Sequence, residues 1–458
     1  MSTKHGFVGS SNLPYGSFPS EYTRAHLADV CVENGGIQTG PFGSQLHQQD
    51  YVTIGTPIIT VEHLGENRIR HQDIPRVSDE DKERLSRYSL RPGDIVFSRV
   101  GSVDLRALVR KEEDGWLFSG RLLRVRPDEK IIDPAYLSWY FGLPSFREYV
   151  RKIAFGATMP SLNTKLLSDL PISFPPLAEQ KIVSDILGSL DDKIELNRRM
   201  NETLEAMAQA IFKSWFVDFE PVHAKIEGRD TGLPKPLSDF FPIRLVDSER
   251  GEIPEGWTAV PLPDAVEINP QRTLRKGQVA PYLEMAKMPN RGHCPAAAIA
   301  RTFGSGMRFQ NGDTLVARIT PCLENGKTAF VDFLKDEEVG WGSTEFIVLR
   351  PKPPLPKEYG YCLARSLEFR NFAIQSMSGS SGRQRVPAES LNHYKVALPP
   401  KDVAERFGDV VTPIFKQARA VTDESTTLAA LRDALLPRLI SGEIRVNGDR
   451  AEIPGAPA

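Results

Sequence analysis

The chain has 458 residues, 40% of them hydrophobic and 25% charged, with a formal net charge of −2 at pH 7. That length and balance describe a water-soluble chain of more than one domain, and no apolar run approaches the roughly 18 residues of a membrane helix. Near-neutrality excludes a strongly basic stand-alone nucleic-acid binder, so any such role must rest on local patches or on partner subunits. Residues 1–20 read as a flexible tail, rich in Gly, Ser and Pro and without the apolar core of a signal peptide. Cys31, Cys294, Cys322 and Cys362 form no C-x-x-C pair and read as buried thiols of a reducing cytoplasm.

Residues 21–175 read as a first globular domain. Strand-like runs cover Thr56 to Val61, Asp94 to Arg99, Leu105 to Val109 and Trp116 to Val125. An aromatic-rich helix follows over roughly Pro134 to Arg151, then a Gly/Ser/Thr stretch from Phe155 to Asn163 and a last strand, Leu170 to Phe174. Residues 176–221 form one long helix, opened by Pro175-Pro176 and stopped by Pro221. Its apolar positions follow a heptad seam, Val183, Leu187, Leu190, Ile194, Leu204, Ala208 and Ile211, with Asn197 and Asn201 at the centre. Asn in a seam fixes register at a cost in stability, so the helix is expected to bury one narrow stripe against a specific partner. Residues 222–255 are dense in Pro, Gly and charge and read as a linker. A second domain spans 256–398, and a second helix 399–445, with a seam through Phe407, Val411, Ile414, Ala418, Val421, Ser425, Leu428 and Leu435. Pro413 lies inside that seam and is expected to kink the helix or mark its start. Residues 446–458 close the chain as a tail.

The second half repeats the first. Gly93-Asp94 corresponds to Gly312-Asp313, Pro134-Ala-Tyr136 to Lys357-Glu-Tyr359, and Pro175-Pro176 to Pro399-Pro400, in the same order and at almost one offset. The period is a whole domain plus a helix, too long for a solenoid.

Catalytic motifs appear only as near misses. Pro321 to Thr328 reads P-x-x-x-x-G-K-T, without the first Gly of a phosphate-binding loop and with a strand-like run where that motif needs a helix. Asp191-Asp192-Lys193 resembles a fragment of a nuclease site, but a charge run on a paired helix is expected to be a solvated face. The eight histidines form no ligand pair at helical or loop spacing, so no metal site is expected. Binding chemistry is better represented. Arg99, Arg106, Arg110, Lys111, Arg121, Arg124 and Arg126 fall on neighbouring strands of the first domain and could line one groove. In the second, Arg318 takes the place of Arg99, and Ser376 to Arg385 is a Gly/Ser loop ending in Arg and Gln. Such side chains suit phosphate contacts and base-edge reading. The competing class is a non-catalytic coiled-coil scaffold with two protein-interaction modules.

The runs PPLAEQKIVSDIL, AIFKSWFVDFEPV, GEIPEGW and LLPRLISGEIRV, in that order, resemble the specificity subunits of type I restriction–modification systems. LPPKDVAERF departs from the closer copy of PLAEQ usual in that family's second repeat. The resemblance implies an α+β chain: two α/β target recognition domains separated by two long helices that pair as an antiparallel coiled coil with internal pseudo-twofold symmetry. It implies a DNA-binding set of Arg99, Arg106, Thr158, Asn163, Arg318, Thr320, Ser380, Ser381, Arg383 and Gln384. The helical interface would comprise Leu187, Leu190, Ile194, Asn197, Asn201, Leu204, Ile211, Ile414, Val421 and Leu428. The implied partners are double-stranded DNA, two modification subunits and motor-nuclease subunits. S-adenosylmethionine, ATP and Mg would act in those partners and not in this chain.

Overall fold

The computed structural model describes residues 12–41, 45–156, 160–295, 297–380, 382–447 and 450–452. The chain divides into two units, residues 1–193 with 427–458, and residues 194–426. The division falls inside both long helices, so each unit holds one domain and a stretch of each helix.

In the first unit an antiparallel sheet runs in the order Ile37–Thr39, Leu122–Val125, Ile95–Ser98, Arg106–Leu108. Every residue of Ile95–Ser98 and Leu122–Val125 is buried, as continuous apolar runs covered on both faces should be. A smaller sheet contains the parallel pair Leu117–Phe118 and Thr56–Ile59. The expected single helix after Pro134 is two, Pro134–Tyr140 and Pro144–Ile153. The strand Pro171–Phe174 pairs with Thr23–His26 and leads into the central helix. The N-terminal segment is not a loose tail from residue 12 onward. Asn12–Leu13 and Gly16–Ser17 form a hairpin whose Tyr15 and Phe18 are buried against Tyr140. Residues 1–11 lie outside the described residues.

The second unit repeats this plan. Its main sheet runs Val266–Ile268, Phe346–Pro351, Thr314–Ala317, Thr328–Phe330. Its smaller sheet again contains one parallel pair, Val279–Leu283 with Gly340–Gly342, its two helices are Glu358–Arg365 and Leu367–Gln375, and Lys395–Leu398 pairs with Thr258–Pro261. The repeated Gly-Asp dipeptide has a physical purpose. Gly93 and Gly312 sit at φ +88 and +87, where a side chain would be strained. The Asp that follows is buried and holds an Arg of the neighbouring strand segment: Arg126 Nε donates to Asp94 at 2.6 Å, and Arg350 Nη1 to Asp313 at 2.6 Å.

The long helices are Leu177–Phe212, 36 residues, and Lys401–Ile440, 40 residues, roughly 54 and 60 Å at ~1.5 Å per residue. Pro413 neither starts nor ends the second, and its ring is exposed. The stop expected at Pro221 falls earlier. A π turn, Lys213–Val217, ends the central helix, Phe219 turns the chain at φ +49, and Pro221 lies in the first turn of a short helix, Glu220–Ile226. The expected linker is structured, with a further helix Lys235–Ser238 and a hairpin of Leu245–Ser248 with Gly251–Pro254. At the other end Arg445–Asn447 pairs with Arg450–Glu452, so the expected C-terminal tail begins as a hairpin. Among the described residues no helix is long and apolar enough to cross a membrane.

Candidate nucleic-acid interface

Alternation along strands puts several Arg of the first domain on one face, but most are used inside the protein. Arg106 is buried, and its Nε donates to the Ser138 carbonyl at 2.8 Å beneath the break between Pro134–Tyr140 and Pro144–Ile153. Burial, with Arg147 nearby, pushes its guanidinium down to about 10. Arg106 is therefore a structural residue and cannot reach a nucleic acid as expected. Arg124 is also buried, donating to Gly35 O and Gln38 Oε1, and Arg126 is committed to Asp94. Arg110 reaches Asp191 and Asp192 of the central helix, both at 3.4 Å. Arg99 is half-buried with Nη1 donating to Gly120 O, while Lys111 and Arg121 are exposed.

What survives is an edge built the same way in both units. In the first, Arg99 and Val100 run beside the Phe155–Ser161 loop: Leu162 N donates to Arg99 O, Val100 bridges Ser161, and Phe155 and Ser161 exchange backbone hydrogen bonds. In the second, Val386 N donates to Arg318 O, Ile319 bridges Arg385, and Ser378 and Arg385 exchange backbone hydrogen bonds. Arg99 and Arg318 thus occupy equivalent places at the base of equivalent loops. Arg318 is half-buried, its Nε is buried without a partner, and its side chain makes no hydrogen bond or ion pair among the described residues.

The loops carry the other candidates. Ser380 and Arg383 are exposed and Gln384 half-buried, with Arg383 N donating to Ser380 O. Arg383 forms no ion pair among the described residues, whereas its neighbour Arg385 grips Glu345 at 2.8 Å. Thr320 Oγ1 faces Met377 Sδ at 3.9 Å. Asn163 caps the helix Thr164–Ser168, its Oδ1 accepting from Leu166 N at 2.8 Å, which occupies that oxygen. Thr158 and Ser381 lie outside the described residues. One residue the sequence reading passed over is Phe155, 61% exposed at the mouth of the first loop. Its position at the start of the Gly/Ser/Thr stretch was the available signal.

The helical seam is paired within each unit. In the second, Asn197 is buried with Nδ2 donating to Glu424 Oε2 at 2.8 Å, and Asn201 Nδ2 donates to Thr422 Oγ1 at 2.9 Å. Rising numbers on one helix meet falling numbers on the other, so the pairing is antiparallel. Ile194, Leu204, Ile211 and Ile414 are half-buried and Val421 buried. In the first unit Leu187 is fully buried in a core shared with Leu436, Leu439 and Ile440, while Leu190 and Leu428 are half-buried. The expectation of a single buried stripe fails there. Gln180, Ser184 and Asp191 form a second, polar stripe, all buried against the first domain. Gln180 accepts from Asp133 N and donates to Pro175 O, both at 2.8 Å. Asp191, expected on a solvated face, takes Arg68 at 2.7 Å and Arg432 at 3.1 Å.

The cysteines divide: Cys31 and Cys362 are buried, Cys294 and Cys322 only partly so. Burial pushes the Cys31 thiol up to about 12, so it stays protonated.

A family model described as the type I restriction modification DNA specificity domain matches residues 19–206. Over 444 residues the chain is 26% identical to the type I restriction enzyme HindI specificity subunit of Haemophilus influenzae, spanning 82% of this chain and 92% of that one. It is 26% identical over 326 residues to the MjaIX specificity subunit of Methanocaldococcus jannaschii, spanning 68% and 69%. The crystal structure of a type I restriction–modification S subunit from M. genitalium has the same fold, with a TM-score of 0.53 at 13% identity over 92% of this chain and 96% of that one. A duplicated domain, two long helices paired within each unit and these likenesses together make the chain similar to the specificity subunits of type I restriction–modification systems.

Proposed function

We propose that each recognition domain reads one half of a two-part, asymmetric double-stranded DNA target, and that the chain directs methylation or cleavage there by partner subunits. The observation that carries this reading is the pair of equivalent loops with different exposed side chains: Phe155 on one, Ser380 and Arg383 on the other. One backbone solution holding two side-chain sets suits two different half-sites. Arg99 and Arg318, at the loop bases, suit phosphate or guanine contacts, and Gln384 suits adenine. The seam helices space the domains and dock two modification subunits, which in turn recruit motor-nuclease subunits. S-adenosylmethionine, ATP and Mg act in those partners, and the chemistry needs no cofactor from this chain. The working compartment is the cytoplasm, where the DNA is.

The test is a genome-wide survey of methylation sites in cells carrying the assembled complex. Replacing Arg383 and Gln384 together by Ala should relax one half of the target, at about 1–3 kcal/mol per lost base-edge contact, and leave the other half unchanged. An identical methylated sequence in the variant would remove these residues from base reading. Binding of partner proteins with no salt-dependent DNA binding by the complex would favour the scaffold reading instead.

A further inference from the structure

The segment Pro289–Cys294 crosses the second unit beside the strand Thr328–Phe330, to which it is tied by Thr328 N to Pro289 O at 3.2 Å and Phe330 N to His293 O at 2.9 Å. Arg365 fixes the rest of it, donating to Asn290 O at 2.8 Å and Gly292 O at 2.7 Å, and ties it to the turn before that strand through Gly326 O at 2.9 Å. At its end two adjacent side chains converge on Asp332. His293 Nε2 lies 3.0 Å from Cys294 Sγ and 3.5 Å from Asp332 Oδ2, and one ligand atom from each of the three residues falls within 4.8 Å of the others.

Asp332 is the informative member. Both of its carboxylate oxygens are buried without a hydrogen-bond partner. Its nearest basic groups, His293 at 3.5 Å and Arg419 at 3.6 Å, stand beyond ordinary hydrogen-bond length. A buried carboxylate in that state is costly unless something more is bound. Imidazole nitrogen, thiolate sulfur and carboxylate oxygen are together the donor set of a zinc site, whose ligands lie about 2.0–2.3 Å from the ion.

We propose that His293, Cys294 and Asp332 bind one divalent cation of the zinc class, with a fourth position left for water. The thiol loses its proton on binding, so thiolate and carboxylate balance the dication, and Arg419 stays as an outer partner of Asp332. The ion clips the Pro289–Cys294 segment to the end of the edge strand Thr328–Phe330 where that domain meets the Lys401–Ile440 helix, and its role is to stabilise.

Cobalt(II) is the probe, because thiolate ligation gives it a charge-transfer absorption. The full chain, stripped with a chelator and titrated with cobalt, should take up one ion per chain with that absorption and melt at a higher temperature. Cys294→Ser should lose the absorption, and Cys322→Ser should keep it. Asp332→Asn, which preserves volume and so remains informative if Cys294→Ser fails to fold, should weaken binding on the order of tenfold or more. No stoichiometric uptake, an absorption that survives Cys294→Ser, or unchanged affinity in Asp332→Asn would each overturn the assignment.

Discussion

In the first unit Arg110 follows the strand Arg106–Leu108 and reaches Asp191 on the central helix. In the second, Asp332 follows the corresponding strand Thr328–Phe330 and faces Arg419 on the C-terminal helix. The same backbone position thus carries a cation in one repeat and an anion in the other, and the helix charge is reversed to match. The contrast extends further. The first domain rests on its helix through the polar stripe of Gln180, Ser184 and Asp191. The second rests on aromatic packing, in which Phe216 touches Phe212, Trp215, Trp257, Tyr359 and Phe407. Where the first repeat has Gln180 and Ser184, the second has Ala404 and Gly408, and a Cβ on Gly408 would come within 3.2 Å of Pro356. Duplication therefore preserves the strand order of the main sheet and the pairing at the loop bases while each domain's contact with the helices is rebuilt. Complementarity across a contact is what must be kept, and either chemistry supplies it.

The comparison can be broken from either side. Phe216→Ala should have the largest effect, about 3–5 kcal/mol, because it empties the centre of the aromatic cluster. Denaturant unfolding followed by Trp215 and Trp257 fluorescence would measure it, and a loss below about 1 kcal/mol would mean the cluster is not what holds the second domain. Asp191→Ala should come next, at about 2 kcal/mol for the lost charged hydrogen bonds. It takes the partner of Arg432 Nη1, although Arg432 keeps Asp433 at 2.9 Å and Arg68 and Arg110 still reach the exposed Asp192. Hydrogen exchange should show the loosening in the first unit and leave the second protected. Gln180→Ala copies the second repeat's residue into the first and should cost about 1–2 kcal/mol, by leaving the Pro175 carbonyl and Asp133 amide without their partner. No change in its unfolding midpoint would mean the polar stripe is dispensable. Glu424→Gln should be smallest, within about 0.5 kcal/mol, because a neutral amide oxygen still accepts from Asn197. A larger shift would show that the charge itself sets that register.

The duplication, both helices and the Asn positions of the seam could be read from the sequence, because each depends on spacing along the chain. Periodicity reports which positions share a face, and Asn197 and Asn201 fell on the right one. It does not report how many faces are covered. Asp191 was misplaced because the central helix is buried on one side by its partner and on another by its own domain. Arg106 was misplaced for a related reason: strand alternation gives its direction but not that a helix break lies over it. The Gln180 bonds to Asp133 and Pro175 make sense of PPLAEQ only once the strand before the helix is in place. The meeting of His293 and Cys294 with Asp332 depends on backbone hydrogen bonds between distant segments, which ligand spacing along a sequence cannot reveal.

The break after Pro134–Tyr140 has a consequence for inheritance. A Cβ on Gly142 would lie 2.1 Å from Arg106 Nη2 and 2.9 Å from the Trp139 carbonyl oxygen. The two positions therefore cannot vary independently. Any side chain at 142 is excluded while Arg106 fills the space beneath it, and removing Arg106 first leaves a void and an unpaired Ser138 carbonyl. A change at Arg106 does not open position 142 either, because the Trp139 carbonyl oxygen stays in its way at 2.9 Å. In a selection for altered specificity these two sites should therefore stay fixed together, whereas exposed positions on the Phe155–Ser161 and Ser378–Arg385 loops should accumulate single changes in any order.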